Sequence, residues 1–175
     1  MSSPGPTSPT LRVMAIDDDA DMLEVIRLAL GRQYEVLTLS NPMDTYELVE
    51  LFEPDLLILD VMMPKVTGFQ LLDILHRSPR TRNLPVIILS AKAAKTDILQ
   101  GYQLGAALYL AKPLDPERLL KNVRTHFETR EGGPSQKTLP MAAVRMQFGL
   151  KRSFKSGTAQ LCGPSSPPAA AGSPK

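Results

Sequence analysis

The stretch LLILD, residues 56–60, ends four apolar residues on a carboxylate, and three other stretches repeat the arrangement. LRVMAI runs into Asp17, Asp18 and Asp19, VIILS ends at Ser90, and ALYLAK ends at Lys112. Consecutive apolar residues without alternation read as a strand covered on both faces, as in a parallel sheet. The carboxyl ends of such strands share one edge, where an open α/β sheet binds its ligands. Asp17, Asp18, Asp60, Ser90 and Lys112 are therefore expected to converge there. Clustered carboxylates raise one another's pKa unless a cation lies between them. Hard oxygen ligands of this kind suit Mg2+, which binds one or two carboxylates together with a phosphate. An ammonium and a hydroxyl beside them suit the oxygens of a phosphoryl group in transfer. Asp60 is the carboxylate left to accept that group.

The elements that must position these residues follow from pattern. Strands are predicted at LRVMAI (11–16), YEVLTL (34–39), LLILD (56–60), VIILS (86–90) and ALYLAK (107–112). Between them run stretches with apolar residues at helical spacing. The first helix carries Met22, Leu23, Val25, Ile26, Leu28 and Leu30, with Asp19 read as its cap and Gly31 as its stop. Asn41 is read as the N-cap of a helix opening at Pro42 and stopping before Pro54, and a third helix begins at Gly68. The fourth contains Gly101, which weakens a helix by about 1 kcal/mol relative to alanine. Asp115 caps the fifth, PERLLKNVRTHFETR. Strict alternation of five strands and five helices predicts a doubly wound α/β parallel sheet with helices on both faces.

Residues 11–130 form one domain-sized unit on this reading, flanked by a Pro/Ser/Thr segment (1–10) and a low-complexity tail (131–175), both expected to be mostly disordered. Residues 1–130 hold 14 basic and 17 acidic side chains and residues 131–175 hold 6 and 1, so the basic balance belongs to the tail. Cys162 is the single cysteine, which excludes an intrachain disulfide or a cysteine metal cluster. No run approaches the roughly 20 apolar residues of a membrane helix, and a cytoplasmic protein is expected. Lys151, Arg152 and Lys155 are read as a solvated basic segment, so nucleic acid is not an expected partner. His76 and His126 lack metal-spaced partners and read as surface or groove residues.

From about Leu11 to Thr129 the chain resembles the receiver domain of bacterial two-component response regulators. IDDD, LILDVMMPKVTGFQLL, VIILSAK and GAALYLAKP carry the resemblance, in that order and spacing. It implies a flavodoxin-like sheet of strand order 2-1-3-4-5. It also implies that Asp60 takes a phosphoryl group from a histidine kinase or a phosphotransfer protein. Asp17 and Asp18 would be the acidic pair, with Asp18, Asp60 and the Met62 carbonyl around magnesium, and Ser90 and Lys112 would contact the acyl phosphate. A cis Lys112-Pro113 peptide is implied as well. Ser90 and Tyr109 would form a switch that reshapes the face of the fourth helix, fifth strand and fifth helix for a downstream protein.

Two departures stand out. Ala107 and Leu108 occupy positions that are acidic in many receivers, and Met62 and Lys92 occupy positions that tune phosphoryl lifetime in the family. An aspartyl-nucleophile phosphatase would need a second carboxylate two residues after the nucleophile, where this chain has Met62. A pseudo-receiver scaffold normally lacks a site residue, and none is missing. The expectation is a single-domain, chemotaxis-regulator-like signalling module rather than an enzyme, with phosphorylation-dependent dimerisation left open.

Overall fold

The computed structural model describes residues 10–91, 94–129 and, as backbone, 158–160. The expectations for residues 1–9, for Lys92 and for nearly all of the tail lie outside these residues. Five strands appear where the apolar runs placed them: β1 (Arg12–Ile16), β2 (Glu35–Leu39), β3 (Leu56–Asp60), β4 (Val86–Ser90) and β5 (Leu108–Ala111). They alternate with α1 (Ala20–Leu30), α2 (Thr45–Phe52), α3 (Gly68–Arg77), α4 (Lys95–Gln103) and α5 (Pro116–Thr129). All pairings are parallel and the five strands lie in the order 2-1-3-4-5. A further short strand, β6 (Thr158–Gln160), lies parallel to β2 on its outer edge, with Val36 opposite Thr158. The pattern of the tail gave no sign of it.

The unbroken apolar runs have a direct cause. β1, β3 and β4 are buried at every residue because each face of the sheet is covered. Val13, Ala15, Ile58 and Ile87 join Leu23, Ile26 and Leu30 of α1 and Leu119 and Val123 of α5 on one face. Met14, Ile16, Leu57 and Ile88 join Leu48 and Phe52 of α2 and Leu72 and Leu75 of α3 on the other.

Several boundaries differ from the expectation. Asn41 does cap, accepting a bond from the Met43 amide at 3.2 Å, but the turn it caps is a three-residue 3-10 helix, Pro42–Asp44. The α-helix starts only at Thr45 and ends on Glu53 in the left-handed region (φ 48°). His76 is a half-buried tie: its Nδ1 lies 2.9 Å from the Leu104 carbonyl and its Nε2 3.3 Å from that of Leu84.

At the amino-terminal end of the sheet Arg12 is buried. Its Nε bonds Glu35 at 3.2 Å, its Nη1 donates to the Phe52 carbonyl at 2.8 Å, and its amide donates to Asp55 at 2.8 Å. Within LRVMAI it read only as one residue of a strand.

Candidate functional site

The strand ends do converge. Asp17 follows β1 and is fully buried, its amide donating to the Leu39 carbonyl at 3.2 Å, while Asp18 beside it is exposed. Asp60 closes β3 and Ser90 closes β4, and both are buried. Lys112 follows β5, and its amide donates to the Ser90 carbonyl at 2.9 Å, so the β4–β5 ladder itself sets the lysine beside the serine. From there the Lys112 ammonium donates to Asp17 Oδ2 at 2.7 Å and lies 3.0 Å from Asp60 Oδ1. Ligand oxygens of Asp17, Asp18 and Asp60 lie within 4.8 Å of one another.

One ammonium thus serves two buried carboxylates. Burial pushes the Asp17 carboxyl above its ordinary 3.8, outweighing the Lys112 hydrogen bond, and the Asp60 charge adds to the rise. Burial pulls Lys112 down, yet its bonds to Asp17 and Asp60 and their charges carry it above 10.5. The two directions agree physically: the cation gains from both partners, whereas each anion also faces the other. This donor set fits a divalent cation, since oxygen ligands short of positive charge are what magnesium binds. The folded state binds the Asp17 proton more tightly than the unfolded chain does. That stability is complete below about pH 3.8 and is lost as pH rises through the higher folded value. In chelator, the wild type is therefore expected to lose stability relative to Asp17→Asn as pH rises from 3 to 7, read by urea denaturation. A difference that stays flat or grows in favour of the wild type contradicts it.

The loop after Asp60 is held by features that the sequence reading passed over. Thr67 caps α3: its hydroxyl accepts from the Gln70 amide at 3.3 Å, and the Gln70 side chain accepts from the Thr67 amide at 3.0 Å. The T-x-x-Q spacing in TGFQ is the signal that could have found this capping box. Gly68, expected only as a helix start, is pressed against the end of β3. A Cβ there would overlap the Asp60 carbonyl oxygen and lie 2.9 Å from Val61 Cα. Its amide donates to the Val61 carbonyl at 3.0 Å. Lys65 takes a left-handed φ of 71°, and the Val66 amide reaches the Pro64 carbonyl at 2.9 Å, a tight three-residue turn. Met62 is half exposed at the rim.

Asp19 is a cap, as expected, accepting from the amides of Asp21 at 2.9 Å and Met22 at 3.4 Å. The Lys112-Pro113 peptide is cis. Tyr109 is half-buried on β5 opposite Ile88, so it shares a sheet face with Ser90, two residues beyond Ile88 on β4. No helix among the described residues is long and apolar enough to cross a membrane.

The model of the response regulator receiver domain matches residues 13–124. The chain is 37% identical over 114 residues to the DNA-binding dual master transcriptional regulator RpaA of Synechocystis, covering 65% of this chain and 47% of that protein. It is 32% identical over 130 residues to the phosphate regulon transcriptional regulatory protein PhoB of Pseudomonas aeruginosa, covering 74% and 56%. The chain thus spans about half the length of these curated relatives. Among solved structures, the chemotaxis protein CheY4 of Vibrio cholerae superposes with a TM-score of 0.63 at 26% identity, covering 66% of this chain and 98% of that one. The receiver domain of the Francisella response regulator 1452 gives 0.61 at 28%, covering 66% and 94%. With the fold, the strand-end carboxylates and a family match over most of the described residues in agreement, the chain belongs to the response regulator receiver domain family.

Proposed function

We propose that this chain is a phosphoacceptor in two-component signalling, acting in the cytoplasm, and that Asp60 is the acceptor. A carboxylate oxygen of Asp60 attacks the phosphorus of a phosphohistidine on a histidine kinase or phosphotransfer protein. The new P–O bond forms as the P–N bond breaks, and the departing imidazole nitrogen takes the electron pair and a proton from water. The observation that carries this reading is the Lys112 ammonium held between two buried carboxylates, 2.7 Å from Asp17 and 3.0 Å from Asp60. On this reading Lys112 would hold one phosphoryl oxygen and the Ser90 hydroxyl another, a stabilisation by fixed charge and dipole. Asp17, Asp18, Asp60 and the Met62 carbonyl would hold Mg2+, which when bound neutralises charge between the carboxylates and the incoming phosphoryl group.

Ser90 and Tyr109, on one sheet face, are the pair through which occupancy at Asp60 would reach α4, β5 and α5. A downstream protein, or a second copy of the chain, would read that face. The relatives named for DNA binding carry that function in proteins about twice as long, and it is not proposed here.

The test is intact mass after incubation of the full chain with acetyl phosphate and Mg2+. The wild type is expected to gain one phosphoryl group and Asp60→Ala none. An unmodified, folded wild type overturns the acceptor reading and favours a docking scaffold that works without phosphorylation.

A further inference from the structure

α4 meets the sheet at one buried residue, and that residue is a glycine. A Cβ at position 101 would lie 3.1 Å from Ile88 Cδ1, 3.1 Å from Tyr109 Cδ2 and 3.5 Å from Tyr109 Cε2. Glycine is the poorest helix former short of proline, so at mid-helix it calls for a packing reason, and these distances supply one. The two neighbours differ in how far they can yield. Ile88 is fully enclosed in the core, whereas Tyr109 is only half-buried. An added methyl would displace the ring, or lift α4 from β4 and β5, before it moved the isoleucine.

We propose that Gly101 is a positioning residue of the α4–β5 face: its missing side chain is the seat of the Tyr109 ring, so the place of the ring and the seating of α4 are one variable. The inference rests on the reading of Tyr109 as part of the switch, but only for its consequence in signalling. The contact itself is present without any modification of Asp60.

The experiment is a double-mutant cycle on the full chain, wild type, Gly101→Ala, Tyr109→Ala and the pair, unfolded in urea without phosphoryl donor. It is joined to 19F spectra of fluorotyrosine-labelled wild type and Gly101→Ala, with the Tyr109 resonance assigned by Tyr109→Phe. Gly101→Ala is expected to lower the urea midpoint while Tyr109 is present and to lower it less, or raise it, in the Tyr109→Ala background, where only the Ile88 contact still opposes helix propensity. The Tyr109 resonance is expected to shift. If Gly101→Ala fails to fold alone, the double variant is expected to fold. An effect of Gly101→Ala that is the same in both backgrounds, or a Tyr109 resonance that does not move, overturns the assignment. Adding acetyl phosphate and Mg2+ separates the two readings. Coupling in the cycle with no acetyl-phosphate shift at Tyr109 in the wild type leaves Gly101 as the seat of the ring and removes Tyr109 from the switch.

Discussion

Gly68→Ala is expected to lower the unfolding free energy by about 3 kcal/mol, although alanine is the better helix former by roughly 1 kcal/mol. The sign is decided by what the methyl would meet. It would fall on the carbonyl oxygen of Asp60 and within 2.9 Å of the Asp60 carbonyl carbon and Val61 Cα, all backbone atoms that no rotamer change can clear. Relief requires α3 to withdraw from the end of β3, which breaks the 3.0 Å bond from the Gly68 amide to the Val61 carbonyl. The residue that moves first is the proposed acceptor, so labelling by acetyl phosphate should slow along with the loss of stability. Urea denaturation of Gly68→Ala checks the first part and timed intact mass the second. A variant as stable as the wild type would show that the loop is far softer than these distances indicate.

Lys112→Met should cost about 3–5 kcal/mol near neutral pH in chelator, the scale of removing one partner from a buried ion pair. The side chains of Asp17 and Asp60 are 0% and 2% exposed and that of Lys112 18%, so solvent offers little screening. Two buried carboxylates would remain with their shared ammonium gone, and the folded state would then hold protons more tightly still. A carboxyl raised in the folded state stabilises at low pH and loses that contribution as pH rises through its folded value. The gap between wild type and Lys112→Met should therefore narrow as pH falls from 8 to 5, and added Mg2+ should recover part of it. A gap that does not change with pH would mean that the lysine stabilises by packing its stem rather than by charge.

What the sequence made legible follows from the physics of each residue. β1, β3 and β4 could be read because burial on both faces leaves no polar interruption, and the charged ends of those runs pointed to the shared edge. Asp17, Asp18, Asp60, Ser90 and Lys112 arrive at that edge because register carries them there, as Asp60 opposite Leu89 and Ser90 opposite Ala111 show. Asp60 as acceptor, the carboxylates as cation ligands and Ser90 and Lys112 as phosphoryl contacts were argued from residue chemistry and sharpened by the family resemblance, and the division remains a proposal.

Other features had no local signature. The partners of Arg12 lie 23, 40 and 43 residues away, so nothing near position 12 announces a buried guanidinium. Gly68 was read as a helix start and Gly101 as a weak point within a helix. Their close contacts, with the Asp60 backbone and with Ile88 and Tyr109, exist only once the strands are assembled. Thr67 is different, since its capping box lies within four residues and was readable.

The seating of α4 on a glycine sets how the molecule comes apart short of unfolding. α1 buries Leu23, Ile26 and Leu30, and α3 buries Leu71, Leu72 and Leu75, each such side chain contributing about 1.5–3 kcal/mol that undocking would forfeit. α4 has no buried side chain of that kind among its nine residues. Proteins open locally at free energies well below the global value wherever few apolar groups are fixed. Among the helices of the described residues, detaching α4 accordingly forfeits the fewest buried side chains. An event at the strand ends that supplied only a few kcal/mol, as the proposed phosphoryl transfer would, would suffice to move such a helix while the core stayed as it is.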